Sequence, residues 1–121
     1  MQRTLIVEDS DTFRETFKDA LCRRFPAMDI EEAKDGTEAL RKIGIFKPGL
    51  IFMDIRLPGK SGLELIREIK ADHPDITVII LTDYDLPEYR TAAGQGGADD
   101  FIPKGALNLS EIAAIISRLS V

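Results

Sequence analysis

Glu8-Asp9, Asp54, Thr82 and Lys104 are the side chains that folding alone explains least, because each stands directly behind a short run of apolar, branched residues. Carboxylates gathered in one place repel each other, and a hard divalent cation such as Mg2+, which prefers oxygen donors and retains waters, relieves that repulsion. A lysine ammonium and a threonine hydroxyl make no sense as ligands of such an ion. Opposite it they suit a phosphoryl group, which calls for a point charge, a hydrogen-bond donor and a metal to neutralise its oxygens. The phosphate need not belong to a bound nucleotide. Acidic residues follow the first apolar run where a dinucleotide site carries Gly-x-Gly-x-x-Gly, no Walker sequence occurs, and Gly94-Gln95-Gly96-Gly97 has the wrong spacing. A carboxylate can itself be the nucleophile and become an acyl phosphate, and Asp54, behind the central run, is the expected acceptor.

The apolar runs at Thr4–Val7, Asp29–Ala33, Leu50–Met53, Thr77–Leu81 and Ala98–Ile102 are too short for stable helices and predict five strands. Between them the spacing turns helical, at Phe13, Phe17, Ala20 and Leu21, at Ala39, Leu40 and Ile43, at Leu63, Ile66 and Ile69, and at Leu109, Ile112, Ile116 and Leu119. Asp35, Ser61, Asp85 and Asn108 mark helix starts, since each has a Glu three residues on, at Glu38, Glu64, Glu88 and Glu111, which is capping-box spacing. The first helix lacks that box and starts amid Glu8-Asp9-Ser10-Asp11, whose carboxylates complement the helix dipole. The fourth helix is expected to be short and mobile, because Gly94, Gly96 and Gly97 each cost up to about 1 kcal/mol against Ala in a helix. Strand and helix in alternation predict an α/β fold: a doubly wound, five-stranded parallel sheet with helices on both faces. Ligands of such sheets sit at the carboxyl ends of the strands, where the acids, Thr82 and Lys104 fall.

A chain of 121 residues has room for one domain, expected to span 1–121, and 44% hydrophobic with 31% charged residues is the composition of a globular protein. No apolar run approaches the roughly 18 residues of a membrane span. The net charge of −5, with no basic cluster larger than Arg23-Arg24, leaves no electrostatic footprint for nucleic acid, so this domain is not expected to grip DNA directly. One cysteine, Cys22, and an amino terminus without a signal-peptide pattern make a reducing cytoplasm the expected setting. Cys22 reads as a small structural residue, His73 as an exposed loop residue, Asn108 as a helix start rather than a glycosylation acceptor, and Tyr84 and Tyr89 as surface or partner-contacting aromatics.

Leu5-Ile6-Val7-Glu8-Asp9, Asp35-Gly36-Thr37-Glu38-Ala39-Leu40, Phe52-Met53-Asp54-Ile55-Arg56-Leu57-Pro58-Gly59, Leu81-Thr82 and Phe101-Ile102-Pro103-Lys104 stand in one order at suitable spacing. Together they resemble the response-regulator receiver domains of two-component systems, over essentially the whole chain. The resemblance implies a (βα)5 flavodoxin-like three-layer sandwich that works as a phosphorylation-activated switch, assisting its own phosphorylation and dephosphorylation without being a turnover enzyme. It implies phosphotransfer to Asp54 from a sensor histidine kinase or a phosphotransfer domain, with Mg2+ held by Glu8, Asp9, Asp54 and the main-chain carbonyl of Arg56. Thr82 and Lys104 would contact the phosphoryl oxygens. Phe101 would be the aromatic that reorients, changing the surface of the fourth helix, fifth strand and fifth helix, with homodimer formation on activation a further expectation. The segment from Gly97 to Gly105 resembles receivers attached to helix-turn-helix transcription factors, which would make this the receiver of a DNA-binding regulator.

Several positions depart from that pattern. Glu8 is longer than the commoner Asp, Phe101 stands where Tyr is common and has no hydroxyl, and Gly105 follows Lys104 where Pro is frequent. Asp83 follows Thr82 where a small residue is usual. A carboxylate there is expected to obstruct and repel, unless strand alternation turns it away. Taken singly, Lys104 also reads as a solvated charge, Thr82 as a helix-entry residue, Phe101 as core filling and Asp54 as a turn carboxylate. Two other readings stay open. Asp9-Ser10-Asp11-Thr12 resembles the entry of haloacid-dehalogenase phosphatases, which would make Asp9 the nucleophile, although helical patterning begins at once and Lys104 follows the late acids Asp99-Asp100. The other is a receiver-like interaction module that is never phosphorylated.

Overall fold

Strand and helix alternate through the molecule, whose computed structural model describes residues 2–119. In chain order they are β1 (Arg3–Val7), α1 (Asp11–Arg24), β2 (Asp29–Ala33), α2 (Gly36–Phe46), β3 (Leu50–Met53), α3 (Gly62–Asp72), β4 (Thr77–Thr82), α4 (Pro87–Gly96), β5 (Asp100–Pro103) and α5 (Leu109–Leu119). One 3-10 turn at Lys104–Ala106, absent from the sequence pattern, joins β5 to α5. The side chain of Leu119, an expected apolar position of α5, lies outside the described residues. No helix among the described residues is long and apolar enough to cross a membrane.

The strands form one parallel sheet in the order β2-β1-β3-β4-β5, the doubly wound arrangement the alternation predicts. Because side chains of a strand alternate between faces, each central strand feeds two cores. Leu5, Val7, Ile51, Met53, Val78 and Ile80 pack against Ala39 and Ile43 of α2, Leu65, Ile66 and Ile69 of α3, and Ala93 of α4. Ile6, Leu50, Phe52, Ile79 and Leu81 face the other way, onto Phe17 and Leu21 of α1 and Ile112 and Ile115 of α5. This is why the middle strands carry no polar face: a single charged residue there would lie in one core or the other.

Local capping explains most helix starts. Asp35 Oδ1 accepts from the Glu38 N–H at 2.8 Å, Ser61 Oγ from Glu64 at 3.3 Å and Asn108 Oδ1 from Glu111 at 2.7 Å. The first helix lacks the capping box, as its sequence predicts, and is capped by Ser10, whose Oγ accepts from the Phe13 N–H at 3.3 Å. The expectations for the fourth helix are corrected. The fourth helix is not capped by Asp85: Leu86 is its N-cap, and Pro87, which has no N–H to satisfy, opens the helix while Asp85 pairs with Arg90 at 2.9 Å. Nor does Gly97 burden that helix. It is the C-cap with φ 107°, a left-handed position that glycine takes without a steric cost, and it closes a helix of 10 residues. The fifth strand accordingly begins at Asp100 rather than Ala98, because the Ala98 N–H still serves the helix end at Ala93 O, 2.9 Å away. Cys22, expected as a structural residue, is exposed on α1.

Thr4 is fully buried in β1, and its hydroxyl has no hydrogen-bond partner among the described residues. A buried unsatisfied hydroxyl costs about 1–3 kcal/mol. Thr4→Val keeps the shape and removes that cost, so the variant is expected to unfold at higher urea, with about 1 kcal/mol more stability. An unchanged or lower midpoint would contradict this account of Thr4.

Candidate functional site

β1 and β3 are neighbours, yet the helices that follow them, α1 and α3, pack on opposite faces of the sheet. The chain therefore parts at their carboxyl ends and leaves a crevice. Both strands keep their hydrogen bonding one residue further, with the Glu8 N–H donating to Ala33 O at 2.9 Å and the Asp54 N–H to Val7 O at 3.1 Å. Glu8 and Asp54 are thereby delivered side by side into the crevice, only 3% and 7% exposed. Lys104, in the 3-10 turn beyond β5, reaches back across the end of β4. Its Nζ donates to Glu8 Oε1 and, at 3.1 Å, to Asp54 Oδ2. The ammonium also lies 4.1 Å from the centre of the Phe13 ring of α1, an attraction between a cation and the negative face of an aromatic.

The remaining oxygens are held by main-chain donors, Ser10 N–H on Glu8 Oε2 at 3.1 Å and Arg56 N–H on Asp54 Oδ1 at 3.3 Å. Thr82 ends β4 and is fully buried, its hydroxyl accepting from the Tyr84 N–H at 3.2 Å. Burial pushes the Glu8 carboxyl above its ordinary range, and the charge of Asp54 adds to the rise, against the lowering pull of Lys104 and the Ser10 amide. Burial alone would lower Lys104, but its hydrogen bond to Glu8 and the charges of Asp54 and Glu8 outweigh that, so its ammonium is held more firmly than in water.

Of the expected metal ligands, Glu8 and Asp54 are together, while Asp9 is exposed with no hydrogen-bond partner among the described residues. Asp9 and Arg56 border a cleft of about 430 Å3 beside the buried acids, walled by Leu57, Pro58, Ser61 and Tyr89. The donors are all oxygens and the carboxylates outnumber the one ammonium among them, which suits a hard divalent cation. In the present geometry no group of three acidic side chains among the described residues forms a ready cage, and Lys104 pairs with both Glu8 and Asp54. The chemistry of the donors fits a cation. Asp83 is exposed, immediately beyond the buried Thr82.

Phe101 is 8% exposed and packs in the core that carries α2, α3 and α4. The Arg90 guanidinium of α4 covers its ring at 4.6 Å and is anchored by Asp85. Tyr84 is exposed at the edge of the Tyr89 ring, 6.3 Å between centres, with Arg56 stacked on it at 4.6 Å, so both tyrosines border the mouth of the site.

Sequence reading passed over Gly62, which opens α3 directly beneath the acceptor. A Cβ on Gly62 would lie 2.2 Å from the carbonyl oxygen of Asp54 and 2.9 Å from Cα of Ile55. Both are backbone and cannot swing aside. Alanine would gain about 1 kcal/mol of helix propensity, but overpacking of this kind costs about 1–3 kcal/mol and here displaces main chain. Gly62→Ala is expected to lower stability by about 2 kcal/mol and to shift the Asp54 and Ile55 amide resonances. Unperturbed resonances at those two residues would refute the close approach. The only sequence signal was a glycine directly after the helix-start Ser61.

A paired-acid crevice lies at the switch point of this fold, answered by a lysine from beyond the last strand and without the glycine-rich phosphate loop of a nucleotide-binding domain. The chain belongs to the response regulator receiver domain family, whose family model matches residues 4–117, and so is the receiver of a two-component system. It is 34% identical to the response regulator MprA of Mycobacterium sp. (strain KMS) across 98% of this chain and 52% of the relative. The chain thus spans about half the length of the curated relatives it matches. Among solved structures it is similar to the Thermotoga maritima response regulator TrrA in complex with Mg(2+)-BeF, with 34% identity, a TM-score of 0.85, and 98% and 99% of the two chains covered. It is also similar to a DNA-binding response regulator of the LuxR family from Staphylococcus aureus, with 25% identity, a TM-score of 0.89 and full coverage of both chains.

Proposed function

We propose that this receiver accepts a phosphoryl group on Asp54 from the phosphohistidine of a sensor histidine kinase or phosphotransfer domain. The observation that carries the reading is the buried Asp54 carboxylate beside a lysine ammonium, at the open end of the central strand. An Asp54 oxygen attacks phosphorus, the P–N bond of the donor breaks, and the imidazole departs with the bonding pair. Lys104, already 3.1 Å from Asp54, is positioned to move its charge onto the arriving phosphoryl oxygens, and the Thr82 hydroxyl to donate to them. Glu8, Asp9, Asp54 and the Arg56 carbonyl would hold Mg2+, which when bound neutralises charge on the transferring group. The complex of the related TrrA with Mg(2+)-BeF supports Mg2+ as the ion.

The movement of Thr82 and Lys104 would free Phe101 from beneath Arg90 and alter the surface of α4, β5 and α5, a population shift that a homodimer could read. The resemblance to a LuxR-family regulator supports a DNA-binding output, with DNA contacts made outside this acidic domain. A phosphatase built on Asp9 has less support, since α1 begins at Asp11 and Asp9 is exposed. The test is mass spectrometry after treatment with a small phosphodonor. One phosphate is expected with Mg2+ and none after chelation. A chain that binds Mg2+ yet gains no phosphate would instead be an unphosphorylated interaction module.

A further inference from the structure

Arg14 of α1 is largely buried and makes three different contacts. Its Nη1 donates to the main-chain carbonyl of Glu8 at 2.8 Å, its Nε to Glu32 Oε1 of β2 at 3.2 Å, and its Nη2 to Asp11 Oδ1 at 2.6 Å. The carbonyl is the informative partner, because it belongs to the peptide that joins Glu8 to Asp9. That peptide is where β1 ends and the acidic turn begins. The Glu8 amide is tied to Ala33 and its side chain to Ser10 and Lys104, so Glu8 is fixed without Arg14. Asp9 has no side-chain partner among the described residues. Its carboxylate is aimed only by the backbone that carries it: the Glu8 carboxylate holds the Ser10 amide on one side of Asp9, and Arg14 holds the Glu8 carbonyl on the other.

We propose that Arg14 is a positioning residue for cation binding, orienting the Glu8–Asp9 peptide so that Asp9 can join Glu8 and Asp54 around Mg2+. This rests on the metal reading of the site given above. Arg14 touches neither the acceptor nor a ligand oxygen of the acidic side chains that would hold the ion. It acts on the ion through Asp9, and its planar fork serves Glu8, Glu32 and Asp11 from three separate nitrogens, a spread that the single ammonium of a lysine does not reproduce. Glu32, also bound by Lys18 at 3.2 Å, anchors the far side of the guanidinium to β2.

The experiment titrates MgCl2 into the chain and follows the Asp9 and Asp54 amides by NMR, with thermal unfolding measured alongside, for wild type, Arg14→Gln, Arg14→Lys and Glu32→Gln. Outer partners of metal ligands typically contribute about 10–100-fold in affinity, so Arg14→Gln is expected to bind Mg2+ about tenfold more weakly or worse. Arg14→Lys should recover part of the loss and sit roughly threefold below wild type. Glu32→Gln should lower the unfolding temperature yet bind Mg2+ nearly as wild type does, since the contact to the Glu8 carbonyl survives. Mg2+ affinity of Arg14→Gln within twofold of wild type overturns the proposal and leaves Arg14 as a helix-to-sheet ion pair. If Arg14→Gln does not fold, Arg14→Lys decides, and affinity equal to wild type overturns it. Wild type that binds no Mg2+ removes the metal reading itself, and this proposal with it.

Discussion

Asp54→Ala is expected to gain no phosphate from a small phosphodonor with Mg2+, whereas wild type gains one acid-stable, base-labile group. Two buried acids share the crevice, and their hydrogen bonding separates their roles. Glu8 has each oxygen engaged, one by Lys104 and one by the Ser10 amide, and its carboxyl is pushed towards the protonated form by burial. A carboxyl pushed towards its protonated form is a poor nucleophile. Asp54 is held more loosely, by Lys104 at 3.1 Å and by the Arg56 amide at 3.3 Å, and it ends the central strand, where the cleft bordered by Asp9 and Arg56 opens. Asp9→Ala provides the contrast. If Asp9 serves the cation, its loss slows phosphate uptake but leaves the product on Asp54; if Asp9 is itself the nucleophile, the product vanishes. A mass gain that persists in Asp54→Ala would sink the assignment.

The second large effect is expected from Lys104→Met, which keeps the stem beside Phe13 and deletes the charge. Removing one partner of a buried pair costs about 3–5 kcal/mol, because the other charge stays behind unpaired. Here the lower end, about 3 kcal/mol, is expected at neutral pH, since the Ser10 and Arg56 amides still hold one oxygen of each carboxylate. The pH dependence follows from the same groups. Lys104 is raised in the folded protein, so its contribution is fully present below its unfolded value of 10.5 and is lost as pH climbs through the higher folded one. The difference in urea midpoint between wild type and Lys104→Met should therefore close in alkali. It should also narrow in acid towards the ordinary Glu value of 4.5 and below, as the raised Glu8 carboxyl protonates and the ammonium has less to neutralise. Mg2+ should stabilise the variant more than wild type, because no ammonium competes for Glu8 and Asp54. A midpoint difference that is flat from acid to alkali would show that Lys104 contributes by packing alone.

The alternation of short apolar runs and helical spacing predicted the five strands and their helices, because strand and helix periods are written in side chains two to four residues apart. Asp35, Ser61 and Asn108 were legible as caps for the same reason: donor and acceptor lie three residues apart, at Glu38, Glu64 and Glu111. The fold class then carried Glu8, Asp54, Thr82 and Lys104 to one end of the sheet, since parallel strands all point the same way. Where equally local signals competed, the pattern misled. Asp85 had the spacing of a cap, but Pro87 starts α4 and Arg90 takes the carboxylate; Gly97 read as a burden on the helix it in fact ends.

Only the tertiary structure decided which groups touch. The pairing of Lys104 with Glu8 joins residues 96 positions apart, the contact of Gly62 with the Asp54 carbonyl depends on how α3 approaches β3, and the fork of Arg14 depends on where β2 lies beside β1. Nothing within a few residues of Arg14 distinguishes it from the chain's other exposed-looking basic residues. Its partners converge only when α1 packs across β1 and β2, and the choice of one acceptor over another is made by distances of a few ångströms that no local spacing encodes.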